Sequence, residues 1–180
     1  MRTLPFLALL AATPAAAFTE PDSGAWLSLS AGLGMVHPPV ALGPSWQLSG
    51  GVWFGKHDDA YAIGKYTGVG VTARQGLYRA DLLTEPMLEI RHGADIFVVS
   101  TQMFLSGGPA ISPDGLGVTM LAGAGAKYRK TARFGLTGRV ELGATGIDGD
   151  WGFRGNLVLG IEWSSPFKKR SPPESNVEPM

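Results

Sequence analysis

The 180-residue chain has three histidines and no cysteine, which narrows the chemistry it can do. Without a thiol there is no thiolate nucleophile, no disulfide and no thiolate metal site. Oxygen chemistry remains. His37, Ser45, Asp81, Ser112 and Asp114 fall in or beside Gly- and Pro-rich stretches. A histidine that takes a proton from a serine, oriented by a carboxylate, is the minimal kit for acyl transfer. The spacing does not assemble that kit. No His-x-Ser arrangement occurs, and the prolines and glycine around His37 suggest simple loop building. His57 and His92 belong to short polar turns. Gly68-x-Gly70 and Gly123-x-Gly125 lie in alternating segments and are not phosphate loops, and no zinc-ligand spacing is present. No catalytic, cofactor-binding or metal-binding residue is singled out, and the expectation is a protein that is not an enzyme.

A second set of functional side chains is charged. Glu89, Arg91, Lys127, Arg133, Arg139, Glu141, Arg154 and Glu162 each stand opposite the apolar face of an alternating segment. Unpaired charges in a tight interior are costly, so an Arg–Glu network is expected, with Arg139, Glu141 and Arg154 on neighbouring segments. Such a network could be structural, or it could line a path for a small ion or solute.

The elements that carry these charges repeat every second residue. In Trp151–Trp163, one set reads Trp, Phe, Gly, Leu, Leu, Ile, Trp and the other Gly, Arg, Asn, Val, Gly, Glu. Period two means strand. The same alternation marks 25–35, 46–54, 61–73, 87–91, 95–105, 116–128 and 132–143. Lys65 breaks the apolar set of the third segment. Residues 74–86 fit a loop or a hairpin around Gly76, and His92-Gly93 a tight turn. Residues 96–99 are apolar on both sides, so their facing is open. No amphipathic helix competes. Eight strands joined as hairpins close best as a barrel, because closure removes the edges. Glycine is 26 of 180 residues, about twice the usual share of roughly 7%. On every second position it leaves room for Trp26 and Trp53 if these point inward.

Residues 1–17 read as a signal peptide: Arg2, an apolar run from Leu4 to Ala12, and Ala15-Ala16-Ala17 for cleavage. Residues 18–24 are a short lead, 25–163 the barrel and 164–180 a polar tail. With 15 basic and 15 acidic residues, the balance implies no nucleic-acid partner.

The apolar face is the larger one, and the opposite face is small or charged. Eight strands leave an interior just wide enough for side chains, so the greasy face is expected outward. Apart from 87–91, the segments run nine to thirteen residues, which matches the roughly 9–11 that cross a bilayer at about 45°. Trp46, Phe54, Tyr61, Tyr128, Trp151 and Trp163 are candidates for two interfacial girdles. Long links of roughly 10, 13, 10 and 8 residues alternate with short ones of roughly 5, 2 and 3, the pattern of outer loops and periplasmic turns, with both termini in the periplasm. The alternative is a soluble lipocalin-like barrel with its greasy face inside.

Over 25–163 this pattern resembles the small eight-stranded outer-membrane barrels of Gram-negative bacteria, of the OmpX, opacity and OmpA transmembrane-domain type. Leu159, Ile161 and Trp163 resemble that family's last strand, which serves as its assembly signal. Two departures stand out: the chain runs 17 residues past Trp163, and Val158 stands where glycine is common. The resemblance implies an all-β, single eight-stranded antiparallel up-and-down transmembrane β-barrel in the outer membrane. It implies a structural or surface-exposed role and a monomer. Its partners would be outer-membrane lipid and lipopolysaccharide, and the barrel assembly machinery during insertion. Some barrels of this kind are lipid A deacylases or acyltransferases, which keeps the His37 grouping as an alternative.

Overall fold

Every alternating segment becomes a strand. The computed structural model describes residues 23–37, 40–58, 63–96, 99–130 and 133–166, and the signal segment, Tyr61 and most of the tail lie outside them. The strands are β1 (Ser23–His37), β2 (Ala41–Asp58), β3 (Ile63–Tyr78), β4 (Asp81–Ile96), β5 (Val99–Ser112), β6 (Gly115–Arg129), β7 (Phe134–Ile147) and β8 (Asp150–Pro166). Each pairs antiparallel with its sequence neighbour, and β8 returns to β1 to close the barrel.

The register fixes the geometry. Following paired residues once around gives Gly93, Gln102, Gly125, Arg139, Val158, Gly32, Ser45, Gly76 and Leu83. The circuit returns to β4 ten residues from its start (93 − 83), a shear of ten. For eight strands ~4.8 Å apart, that stagger tilts each strand by about 40°.

The barrel is inside-out relative to a soluble protein. Among the described residues, thirty-two large apolar side chains are exposed and only nine apolar ones are buried. Soluble monomers rarely expose apolar patches beyond a few hundred Å². The lipocalin-like alternative fails here, because the interior is charged and hydroxylated. With the stagger above, the exposed or half-buried Phe54, Tyr128, Phe134 and Trp163 fall within about 4 Å of one axial level at the end that carries β1's start and β8's finish. Trp151 and Phe153 lie at the far end, and from Trp151 to Trp163 is ~31 Å of wall at that tilt.

Several expectations are corrected. No two consecutive strands are separated by more than four residues, so the long-and-short alternation of links is absent and carries no orientation. Most described residues of the expected loops are strand, with two-residue turns at 79–80, 113–114 and 148–149. Pro44, Pro86 and Pro109 read as breakers, yet each sits on the outer face of a strand, where proline removes one ladder donor. Residues 74–86 form the end of a hairpin that turns at Arg79-Ala80, not at Gly76. His92-Gly93 is no turn but lies inside β4, and the apolar 96–99 run is divided between Ile96, ending β4, and Val99, starting β5. Lys65 points outward with the rest of its set, near the terminal rim. Trp46 marks no strand end: β2 starts at Ala41 and the stagger puts Trp46 near mid-height. Its indole N–H donates to Gln75 Oε1 at 3.0 Å.

Two far-end turns have the same shape with different residues. Asp148 and Gly149 have φ of 49° and 93°, the Asp-Gly pair that such a hairpin turn favours. Arg79 and Ala80 have φ of 51° and 76° with no glycine. An L-residue with a Cβ costs about 1–2 kcal/mol there. Ala80→Gly is therefore expected to stabilise the barrel by about 1 kcal/mol, read as a higher urea midpoint. A lower midpoint would contradict the turn geometry.

Candidate functional site

Inward positions on β3, β4, β6, β7 and β8 carry the charge. Six basic side chains (Arg74, Arg91, Lys127, Arg129, Arg139, Arg154) and five acidic ones (Glu85, Glu89, Asp95, Glu141, Glu162) are buried, a net of +1 among the described residues. Nine of them form one alternating chain along the axis. From the terminal end, Lys127 Nζ reaches Glu162 at 2.8 Å, and Glu162 accepts from Arg91 at 2.7 Å. Glu89 is the hub. It accepts from Arg91 Nε at 2.9 Å, Arg139 Nη2 at 2.6 Å and Thr72 Oγ1 at 2.9 Å. Arg139 reaches Glu141 at 3.3 Å, Glu141 also pairs with Arg74, and Arg74 lies 3.9 Å from Glu85. Glu85 closes the chain on Arg154 at 2.7 Å. Asp95 and Arg129 form a further pair at 2.6 Å.

Aromatic rings complete the filling. Arg91 stacks over Trp26 at 4.0 Å, Arg139 over Phe104 at 3.8 Å and Arg154 over Tyr78 at 4.5 Å. Each ring needs neighbours without side chains. A Cβ on Gly51 or Gly70 would meet the Trp26 ring at 2.5 or 2.7 Å, and one on Gly123 would meet Phe104 at 2.5 Å. The glycine excess is thus the mould for three inward rings. Trp53 faces inward too, edge-on to Tyr66 at 6.4 Å.

The far mouth is closed by Ala41, Tyr78, Leu83 and Ala110, with Val36 and Ile147 against them. At the terminal end, Trp26, Trp53, Tyr66, Lys127, Arg129 and Glu162 surround a cavity of only about 30 Å³, room for a water or two. Among the described residues, paired charges and rings fill the lumen between these two ends, as the structural reading of the charged network expects.

The expected lumen charges Glu89, Arg91, Lys127, Arg139, Glu141, Arg154 and Glu162 all face inward. Arg133 does not: it is exposed in the connection before β7. Arg154 bonds Glu85 rather than Glu141. Arg74, Glu85, Asp95 and Arg129 were hidden at segment ends, although each continues the inward parity of its strand. The acyl-transfer grouping is not assembled. His37 is exposed at the far end of β1, whereas Ser45 is buried inside opposite Gly32, five residues or ~17 Å down the strand. Ser112 accepts from the Asp114 backbone N–H at 3.1 Å, and Asp81 is exposed at the start of β4. His92 faces outward, 3.0 Å from Thr67. His57 lies on β2, and its side chain is outside the described residues. No cluster of three His, Asp or Glu suited to a metal occurs among the described residues.

No protein-family model matches the chain, and neither does any curated protein. Among solved structures, Neisserial surface protein A aligns over 77% of this chain and 96% of its own, at 13% identity and a TM-score of 0.63. The chain has the fold of a small outer-membrane barrel. A likeness at this identity speaks to fold alone. A de novo designed transmembrane β-barrel is also similar, over 82% of this chain and 98% of its own at 16% identity and a TM-score of 0.42. So is Ail of Yersinia pestis, over 82% and 100% at 12% identity and a TM-score of 0.32. The outer-membrane-barrel fold gives the two faces their meaning: an apolar wall suits lipid, the closed ladder pairs the backbone, and the buried charges pair with one another across the lumen.

Proposed function

We propose that this protein is an integral outer-membrane barrel with a structural, surface-exposed role and no catalytic chemistry. One observation carries the reading: the apolar side chains line the outside of a closed barrel whose inside is ionic. The signal-like residues 1–17 deliver it across the inner membrane, and both termini lie on the periplasmic side. The barrel assembly machinery inserts it as a monomer among phospholipid and lipopolysaccharide. The far-end turns support a structural role over loop-borne adhesion, since 79–80, 113–114 and 148–149 are two residues each. Fractionation and unheated-versus-heated gel mobility test this together. The expected result is a chain released only by detergent that shifts mobility on boiling. Recovery in the periplasmic fraction without detergent would overturn it.

A further inference from the structure

The outer wall is not uniformly apolar. On the β3–β4 hairpin the outward cross-strand pairs, from the far turn inward, are Leu77–Leu82, Gln75–Thr84, Ala73–Pro86 and Val71–Leu88. Gln75 sits four residues below Arg79, or ~10 Å along the axis of a wall tilted about 40°, within the hydrocarbon band. Polar side chains facing hydrocarbon at that depth are costly unless their hydrogen-bonding groups find partners. Here they form a relay: Trp46 donates to Gln75, whose Nε2 donates to Thr84 Oγ1 at 3.4 Å. An N–H of Gln75 and the hydroxyl hydrogen of Thr84 remain to donate, and Thr84 keeps one lone pair to accept.

Below the relay lies a groove of about 630 Å³ crossing β1 to β5. Its floor is small (Gly50, Ala73, Gly107) and its walls are Leu48, Val71 and Leu88. Above the relay stands Arg79, exposed and held in a left-handed turn conformation. One N–H of its guanidinium is anchored on Val40 O at 3.0 Å, which leaves four to donate. A cation at the rim, a polar relay and a trough on one hairpin match a lipid from headgroup to chain.

Resting on the membrane reading above, we infer that this hairpin binds a phosphorylated glycolipid of the far-end leaflet. Its phosphate sits on Arg79, its amide or hydroxyl acyl linkage on Gln75 and Thr84, and one acyl chain in the groove. At its acyl linkages an ester-linked phospholipid presents only acceptors and leaves the Thr84 lone pair unmet, so the site favours amide-linked, hydroxylated chains. The backbone strain at Arg79-Ala80 fits a functional turn.

The test uses the full chain extracted from membranes and exchanged into nanodiscs doped with bisphosphorylated lipid A or with phosphatidylglycerol, with retained lipid read by native mass spectrometry. The expected result is about a tenfold preference for lipid A. Arg79→Ser, Gln75→Leu and Gly107→Leu should each lower retention by about as much. Gly107→Leu fills the trough and keeps the fold, because its Cβ meets nothing nearer than Thr119 O at 3.4 Å. Equal retention of phosphatidylglycerol, or variants that hold lipid A like the parent, would overturn the inference. A heat-modifiable chain that retains neither lipid overturns it alone and leaves the proposed function standing. A chain that never inserts overturns both.

Discussion

Glu89→Ala is expected to destabilise the folded barrel by about 3–5 kcal/mol. Glu89 is 1% exposed and accepts from Arg91, Arg139 and Thr72 at once. Removing the carboxylate leaves Arg139 with Glu141 alone, at 3.3 Å, while Arg91 keeps Glu162. The cost is that of under-compensated buried charge rather than of lost packing, because breaking one partner of a buried pair is far worse than replacing both. The double variant Glu89→Met with Arg139→Met should therefore recover more than half of the loss. Urea unfolding in detergent micelles reads both. A single-variant loss under about 1 kcal/mol, the value of a solvated surface pair, would show that the interior is wet and screened.

Leu157→Arg is expected to cost about 2–4 kcal/mol, and Ser165→Arg on the same face of β8 only about 0–1. Leu157 is exposed, and its cross-strand neighbours Leu33 and Val140 are exposed and apolar as well. The stagger puts Leu157 near the middle of the wall and Ser165 beyond the Trp163 level. In water both arginines would be nearly free of cost. A depth-dependent penalty is thus a signature of hydrocarbon, and equal, small penalties in vesicles would refute the membrane wall. Folding yield and urea midpoints in lipid vesicles supply the measurement.

The facing of nearly every strand was legible in the sequence because the side-chain period is two and the two faces differ in size and polarity. Leu157, Leu159 and Ile161 against Arg154, Asn156 and Glu162 need no other information. Strand ends were not legible, for a physical reason. Proline and glycine mark turns in soluble sheets, but in a barrel they also serve on the wall. Pro86 sits opposite Ala73 on the outer face, and Gly51 and Gly70 make room for Trp26. Taking them as breakers truncated β3 and β4, and with them went Arg74 and Glu85. Parity alone would have kept both, since Thr72, Arg74, Gly76 and Tyr78 share one face. The partners of Arg154 and Arg91 were beyond reach for another reason: they lie across the lumen, 69 and 71 residues away in sequence, where no local pattern points.

That separation has a consequence for how the barrel is made. β8 carries Arg154 and Glu162, and both find partners on β4, Glu162 also reaching Lys127 on β6. Until the last strand arrives, an open seven-stranded sheet holds Glu85 without Arg154, and Arg91 without Glu162. Such a sheet cannot sit in hydrocarbon with its concave side dry. Closing the seam and completing the ion pairs are one event, so water must occupy the half-built barrel until β8 docks on β1. The contacts of Arg154 and Glu162 then act as a latch that no partial sheet can engage. It ties the lifetime of the open form to the arrival of the chain's final strand.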